Sequence, residues 1–449
     1  MAKKKQIELT IEEKLQNALV PKEEQPYKIP SNWCWIRLEN IAEWGSGGTP
    51  SRKRKEYYNG NIPWIKTGEL NNGYIFNSEE KITELGLKNS SAKLYPINTV
   101  IIAMYGATIG KVGILSIEAT TNQACACAIV YKNILFKYVF HYLIYQKEAF
   151  INKSKGGAQP NLSQEIIKKH EIPLPPIKEQ QRIVNRIESL FAKLDRAKEL
   201  IENTLAQFEQ NKMAILHKAF IGELTAKWRK ENNIDLSSWE KIKLGKVLLP
   251  MQTKKPTGQF FRYIDIDAID NKRQIVKAPK LILTEKAPSR ASRGVETGNI
   301  LFSMVRPYLK NIAQIDSDLS DCIASTGFYV CRCKPELNSR FLYYLFIFDK
   351  TIDYLMQFMK GDNSPSIRKD DLLNMKIDLP TIEEQQEIVN ILDNLLAKYN
   401  KIKNLEQQLE KIELLKKAIL AKAFRGELGT NNPDEESAEN LLKEILAEK

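Results

Sequence analysis

A 20-residue passage occurs twice in this chain, and any fold for it must place that passage in two equivalent positions. Leu174-Pro-Pro-Ile-Lys-Glu-Gln-Gln-Arg-Ile-Val-Asn185 returns as Leu379-Pro-Thr-Ile-Glu-Glu-Gln-Gln-Glu-Ile-Val-Asn390, and residues 174–193 match 379–398 at 12 of 20 positions, offset by 205. Ala214-Ile-Leu-His-Lys-Ala-Phe-Ile-Gly-Glu-Leu224 returns as Ala418-Ile-Leu-Ala-Lys-Ala-Phe-Arg-Gly-Glu-Leu428, with 9 identities in 11 at an offset of 204. The element between these marks is duplicated.

Each copy reads as one long helix. Pro175 and Pro176 end the strand before it, Thr381-x-x-Glu384 has the form of a capping box, and Gly222 and Gly426 stand where a helix would stop. Ile183, Ile187, Leu190, Leu194, Ala197, Ile201, Phe208 and Ile215 follow the alternating four and three spacing of a coiled-coil seam. Ile388, Leu392, Leu395, Tyr399, Ile402, Leu405, Leu409 and Ile412 form the second seam, with a register shift at Tyr399–Ile402–Leu405 where the offset drops by one. At 1.5 Å per residue, Gln181 to Gly222 would span about 60 Å. Neither seam is wide enough to coat a globular core, so the two helices are expected to pair as an antiparallel coiled coil.

A domain of similar size precedes each helix. Ser31-Asn-Trp33-x-x-Ile36-Arg-Leu38 is echoed by Ser237-Ser-Trp239-x-x-Ile242-Lys-Leu244, and Val100-Ile-Ile-Ala-Met104 by Ile300-Leu-Phe-Ser-Met304. The expected order is an N-terminal helical arm (1–30), a first domain (31–176), the central helix (177–230), a second domain (231–380), the C-terminal repeat helix (381–428) and an acidic helical tail (429–449). The fold class is α+β, two mixed α/β domains separated by long paired helices. Thr10-x-x-Glu13 should cap a short helix in the arm, and Leu441, Leu442, Ile445 and Leu446 give the tail one apolar stripe.

Charge narrows the partner. The 67 Lys and Arg outnumber the 55 Asp and Glu, for a net charge of +12, although the last twenty residues are acidic. A polyanion, most commonly nucleic acid, is the natural ligand. With 43% hydrophobic and 27% charged residues the chain is an ordinary globular protein. Its longest uncharged stretch, Leu94 to Gly110, is too short and too broken to cross a bilayer. Met1-Ala-Lys-Lys-Lys has no apolar run behind it, and six cysteines make no disulfide framework, so a cytoplasmic setting is expected.

The P-x-x-E-Q-x-x-I-V helix opening, the A-I-L-x-K-A-F-x-G-E-L ending and the domain–helix–domain–helix layout resemble the specificity subunit of type I restriction–modification enzymes. Glu12-Glu-Lys-Leu-Gln-Asn-Ala-Leu-Val-Pro21 and Gly157-Ala-Gln-Pro-Asn-Leu162 extend the likeness over nearly the whole chain, while Gly361-Asp-Asn-Ser-Pro-Ser366 departs from the second of these patterns. The resemblance implies two target-recognition domains, each reading half of a bipartite site in double-stranded DNA. It also implies helices that act as spacers and as docking platforms for two modification subunits, which bind S-adenosylmethionine and methylate adenine. A restriction subunit using ATP and magnesium would complete the complex. Glu179, Gln180, Gln181, Glu384, Gln385 and Gln386 at the helix openings, with Phe220, Glu223, Phe424 and Glu427 at the endings, are the candidate docking residues.

The residues themselves argue against catalysis in this chain. It carries no Asn/Asp-Pro-Pro-aromatic methylation motif. Gly106-Ala-Thr-Ile-Gly-Lys111 has three spacer residues where a phosphate loop has four, and Val112 replaces its Ser/Thr. His141, His170 and His217 are scattered, and Cys125-x-Cys127 and Cys331-x-Cys333 would have to meet across two domains to hold zinc, so core packing is expected and no metal.

Phosphates need cations, and base edges need side chains on loops. In the first domain Arg52, Lys53, Arg54, Lys55 and Tyr57 are expected to form a mobile basic loop, joined by Lys66, Tyr105, Lys111, Gln159 and Asn161. In the second, Lys254, Lys255, Arg262, Arg290, Arg293, Arg306, Tyr308, Lys310, Ser364 and Arg368 are the candidates. Antiparallel helices would relate the two readers by a pseudo-two-fold axis and set them about one DNA turn, ~34 Å, apart. The competing reading is a coiled-coil scaffold with two protein-binding domains and incidental basicity.

Overall fold

The structure, a computed structural model, describes residues 10–154, 161–399 and 403–448. The chain forms two compact units, residues 1–199 with 408–449 and residues 200–407. Both repeat helices are therefore divided: each unit takes one domain, one part of the central helix and one part of the C-terminal helix.

In the first unit, Val100–Ala103 lies at the middle of a five-stranded sheet whose order is Ala42–Ser46, Cys125–Val130, Val100–Ala103, Val112–Leu115 and Gly73–Ile75. One face, including Val100, Ile102, Ala126 and Ala128, packs on the aromatic helix Phe136–Tyr145 and the repeat helices. The other face, including Ile101, Cys125 and Cys127, forms a separate core with Ile65, Leu70 and Tyr95. Beside it Tyr58–Ile65 pairs with Glu80–Ile82 and Thr120–Thr121. The second unit repeats this plan. Leu248–Leu249, Phe328–Cys333, Ile300–Ser303 and Ile312–Gln314 form one sheet, and Lys280–Leu283, Phe260–Ile264, Ile323–Ser325 and Ala291–Gly294 form the other.

Each domain also closes on itself. Cys34–Arg37 pairs antiparallel with Glu171–Leu174, Cys34 opposite Leu174, and Glu240–Lys243 pairs the same way with Lys376–Leu379. The chain thus enters and leaves each domain through a two-stranded ribbon.

The central helix runs unbroken from Ile177–Phe220. The second copy is seen as Ile382–Tyr399 and Lys403–Phe424, and the expected register shift at 400–402 lies outside the described residues. In the first unit Asp195 meets Lys416 and Lys198 meets Glu413, so the two helices run antiparallel there. In the second unit Glu384, at the start of one helix, meets Thr225, just past the end of the other. The seam residues Ile183, Ile187, Ile388 and Leu392 are fully buried, whereas Leu190, Leu194, Ala197 and Ile201 are half-buried. A two-helix seam covers only one side of such residues, and burial is complete only where a domain adds a third surface.

The repeated motif accounts for the closure. Glu384 has no exposed surface; it accepts from Thr225 Oγ1 (2.6 Å), Arg229 Nη1 (2.5 Å) and Trp239 Nε1 (2.9 Å). Glu179, equally buried, accepts from Thr430 Oγ1 (2.6 Å) and Arg182 Nε (3.0 Å), and Arg182 forks onto Glu435 at 2.7 and 2.8 Å. Burial raises the Glu179 carboxyl, with Thr430 and Arg182 opposing. The expected capping box at Thr381 is only half made. Thr381 accepts from the Glu384 amide at 3.4 Å, but the Glu384 side chain turns inward to the clasp instead of back to the cap.

The neighbouring glutamines have matching roles. Gln180 Oε1 accepts from the Leu135 amide (3.0 Å) and Gln385 Oε1 from the Asn338 amide (2.8 Å), each at the start of the domain's aromatic helix. Phe424 lies 4.9 Å from Tyr142 and 5.3 Å from Tyr138, and Phe220 lies 5.3 Å from Phe348 and 5.4 Å from Phe341. At the termini, Thr10 and Glu13 complete their capping box over Ile11–Ala18. Leu15 and Ala18 of that helix pack with Leu441, Leu442, Ile445 and Leu446, so the acidic tail's apolar stripe is covered within the unit.

Removing Arg229 would leave the buried Glu384 carboxylate with Thr225 and Trp239 as donors but without its counter-ion. Arg229→Met should lower the stability of the second unit by about 3–5 kcal/mol in denaturant unfolding; a loss under about 1 kcal/mol would show that the clasp is not needed. A second expectation concerns acid. Burial depresses His141 to about 4 and His170 to about 3, Lys153 adding to the latter. Unfolded, both would titrate near 6.5. Stability is therefore undiminished above about pH 6.5 and falls as the pH drops toward 4, because the unfolded chain takes up protons that the folded one refuses. Melting temperatures should decline across that window, and His141→Leu should flatten the decline; an unchanged slope would contradict it.

Candidate nucleic-acid interface

Two loops meet at one end of the central sheet in each unit. After Val100–Ala103, the Met104 carbonyl accepts from the Leu162 amide (2.9 Å) and Tyr105 bridges Asn161. After Ile300–Ser303, the Met304 carbonyl accepts from the Ile367 amide (3.0 Å) and Val305 bridges Ser366. The structure thus joins Tyr105 with Asn161, and Arg306 with the segment 363–366, where the Arg306 amide donates to Pro365 O (2.8 Å) and its Nη2 to Asn363 O (2.9 Å). Tyr105, Asn161, Arg306, Tyr308, Ser364 and Arg368 are exposed. Gln159 lies outside the described residues.

The failed phosphate loop has a backbone explanation. Gly106 and Gly110 have φ of 64° and 74° and bracket the short turn Gly106–Thr108. The glycines serve left-handed positions, and Lys111 beyond them is half-buried.

The basic segment 51–58 is built in, contrary to the expected mobile loop. Gly47 and Gly48 press against the backbone of Thr121, Asn122, Ser91 and Ala92, where a Cβ would sit 2.1–2.4 Å from neighbouring atoms. Trp64 Nε1 donates to Gly48 O (2.9 Å) and the Thr83 amide to Tyr57 O (2.9 Å), which leaves the Tyr57 ring half-buried. Arg52 lies 4.5 Å from the Tyr58 ring centre and 4.9 Å from that of Trp64 while pairing with Glu80 at 2.5 Å. Lys66 pairs with Glu79 (3.0 Å) and Glu80 (3.1 Å), and Arg54 with Glu56 (3.3 Å). Arg52, and then Lys66, hold the Glu80 carboxyl below its ordinary range. Lys53 and Lys55 are exposed and carry no ion pair among the described residues.

The second unit shows why Lys66 is structural. Trp64 stands opposite Glu80 and Tyr263 opposite Lys280, so Lys66 and Glu80 correspond to Asp265 and Lys280. Asp265 and Lys280 form an ion pair with the charges exchanged. What persists is the pair, not the cation.

Other second-unit cations are likewise engaged. Arg262 binds Asp321 (2.8 Å) and Asp318 O, Lys310 pairs with Asp349, and Lys254 Nζ lies 3.4 Å from Asp321 O. Arg293 sits half-buried in Ala291–Gly294 with its Nε enclosed. Lys255, Arg290 and Arg368 are exposed without an ion pair among the described residues. Sequence reasoning passed over Phe260 and Leu281, 48% and 69% exposed, which line a cavity of about 400 Å³ with Lys254, Thr257 and Arg262. The sequence held no clear signal for them, because Leu281-Ile-Leu283 is uniformly apolar and burial along Lys280–Leu283 does not alternate.

The docking expectation needs correcting. Glu179, Gln180, Glu384, Gln385 and Phe424 have no exposed surface, and Phe220 is half-buried against Phe341 and Phe348. These side chains close the fold, and of them only Phe220 keeps part of its surface open. Gln181, Glu223, Gln386 and Glu427 remain exposed, with Gln181 and Gln386 each bonded to the asparagine four residues on.

Burial pushes the Cys127 and Cys333 thiols up to about 12 and Cys125 and Cys331 also upward, as suits inert core groups. No cluster of metal-ligating side chains occurs among the described residues. No described helix is long and apolar enough to cross a membrane.

Residues 30–207 and 239–414 each match the family described as type I restriction modification DNA specificity domain. The chain belongs to that family. Its type I specificity domains take up the two domains and most of both helices, and its role is DNA recognition without catalysis; the scaffold reading is not favoured. The chain is 26% identical over 436 residues to the MjaIX specificity subunit of Methanocaldococcus jannaschii, covering 89% of this chain and 94% of that one. It is 35% identical over 156 residues to the EcoR124I/EcoR124II specificity subunit of Escherichia coli, a match spanning 33% of this chain and 39% of that subunit. Among solved structures, a chain from a type I restriction–modification system shares its fold with a TM-score of 0.68 at 21% identity, covering 90% of this chain and all of that one. The HsdS subunit of Thermoanaerobacter tengcongensis does so with a TM-score of 0.54, also at 21% identity and the same coverage.

Engaged and free cations should behave differently toward DNA. Lys53→Ala and Lys55→Ala should each reduce the slope of log affinity against log salt by about one, whereas Lys66→Ala should leave that slope unchanged. Equal effects in a titration of all three would show that the Glu79–Glu80 pairing does not withhold Lys66.

Proposed function

We propose that each domain of this specificity subunit reads one half of an interrupted, non-palindromic DNA site. The first would use Tyr105, Asn161 and Gln159, with Lys53, Lys55 and Lys111 on phosphates. The second would use Arg306, Tyr308, Ser364 and Arg368, with Lys255 and Arg290 on the backbone. The observation that carries this reading is the loop pair at the sheet end. One framework presents Tyr105, Gly106 and Asn161 in one unit and Val305, Arg306 and Ser366 in the other. A common scaffold with unlike side chains suits unlike sequences, since base edges are distinguished by donor and acceptor pattern.

The helices supply the remainder of the role. Their length would set the unread spacer, and the exposed residues Gln181, Asn185 and Glu427 in the first unit and their counterparts Gln386, Asn390 and Glu223 in the second offer two like surfaces. Two like surfaces suit two identical modification subunits. S-adenosylmethionine would then belong to those subunits, and ATP and magnesium to the restriction subunit, with the assembly acting on DNA in the cytoplasm.

The two ribbons make the domains exchangeable. Replacing residues 239–380 by the corresponding segment of a related subunit should change one half-site and leave the other half and the spacer intact, read by mapping methylated adenines. Loss of both halves would refute independent reading. Binding should also weaken steeply with salt; salt-insensitive association would contradict a phosphate-based interface.

A further inference from the structure

The turn that follows the central strand has the same backbone in both units and opposite chemistry. Gly106 and Gly110 occupy its two left-handed positions in the first unit; Arg306 and Lys310, each with φ of 49°, occupy them in the second. Left-handed backbone is easy for glycine and unfavourable for a residue with a side chain. Two cations in places where the sister domain keeps glycine therefore require compensation.

Lys310 has it. The corresponding Gly110 faces Lys147, whose Cγ would lie 2.8 Å from an added Cβ, and Lys147 opens the helix Lys147–Lys153. In the second unit the same helix position is Asp349, opening Asp349–Met356, and Lys310 pairs with it while donating to Ile347 O at 3.1 Å. Lys310 is thus explained by the fold. Arg306 is not. It is exposed, and among the described residues it forms no ion pair and its side chain makes one hydrogen bond, from Nη2 to Asn363 O. That bond uses one of five N–H donors and tethers the guanidinium to the neighbouring loop. Gly106, at the same place, has open space where a Cβ would be.

We infer that Arg306 is a specificity-determining residue of the second domain, held by its left-handed backbone and by Asn363 to read a guanine in that domain's half-site. Arginine recognises guanine through paired donors to O6 and N7 in the major groove, and the free edge of a tethered guanidinium presents that pattern. The first domain, with glycine here, lacks the contact, so the two half-sites differ in chemistry at corresponding positions. This rests on the half-site reading proposed above.

Arg306→Gly tests it with little risk to folding, because glycine is what this backbone accommodates best. The full chain, assembled with its modification subunit, is assayed by mapping methylated adenines on a randomised target library. Arg306→Gly should relax the requirement for one G·C pair in one half-site, with discrimination there falling about ten- to a hundred-fold, while the other half-site keeps every letter. Arg306→Lys, which retains charge but not the fork, should lose the same discrimination yet keep the salt dependence of binding. An unaltered motif, or uniform weakening on all sequences with a salt slope smaller by about one, would overturn the inference. Exchange of residues 239–380 in the same assay separates the two claims. If the exchange moves a half-site and Arg306→Gly moves none, only the arginine assignment fails; if the exchange moves nothing, the half-site reading fails first.

Discussion

A carboxylate without water must be met by donors that are already in place, and Glu179 and Glu384 impose that condition twice on this chain. Each stands one turn inside a repeat helix and finds its threonine just beyond the end of the other copy: Thr430 for Glu179, Thr225 for Glu384. The start of one helix can therefore be completed only by the end of the other. That requirement makes the helices run antiparallel in each unit and divides both between two units. The adjacent glutamines and the Phe220 and Phe424 plugs then secure the aromatic helix of each domain to the same junction. A breach at either glutamate exposes a buried charge rather than a surface contact, which is why the motif tolerates so little change between its copies.

With the frame closed in this way, the domains are free to differ. Each is joined to its helices through a two-stranded ribbon, and its sheet ends in a pair of loops that take no part in that ribbon. Changes in those loops leave the clasp untouched. The paired charges at Lys66–Glu80 and Asp265–Lys280 show how far divergence has gone: the sign has been exchanged and the bond preserved. Recognition can vary on such a scaffold without refolding it, and that property suits a subunit whose task is specificity.

The architecture was readable from repetition. The duplicated passages, the four–three seam and the Thr10–Glu13 cap all act over a few residues, and local spacing reveals them. The candidate site was less legible because its deciding contacts cross long stretches of chain. Lys66 is neutralised across a strand pair, Arg52 by a residue 28 positions away, and Lys310 by the start of a distant helix. A cation count could not separate them from Lys53 or Lys255. The family resemblance casts the polar Glu-Gln-Gln motif as a docking surface; only the clasp shows that two of its three side chains face inward. The two Cys-x-Cys pairs, alike in sequence, are not equivalent. Ile101 stands opposite Cys127 whereas Leu301 stands opposite Val330, so the pairs lie on opposite faces of corresponding strands. Arg306 aligns with Gly106 in sequence, but its left-handed backbone and its tether to Asn363 O are properties of the folded chain alone.

One frame carrying two unlike loop pairs has a direct consequence for the DNA it recognises. Mapping methylated adenines across a genome with this gene present and then deleted would show which sites depend on the chain. Two different short words separated by a gap of constant length are expected. A palindrome, a single uninterrupted word or a gap that varies from site to site would contradict the arrangement.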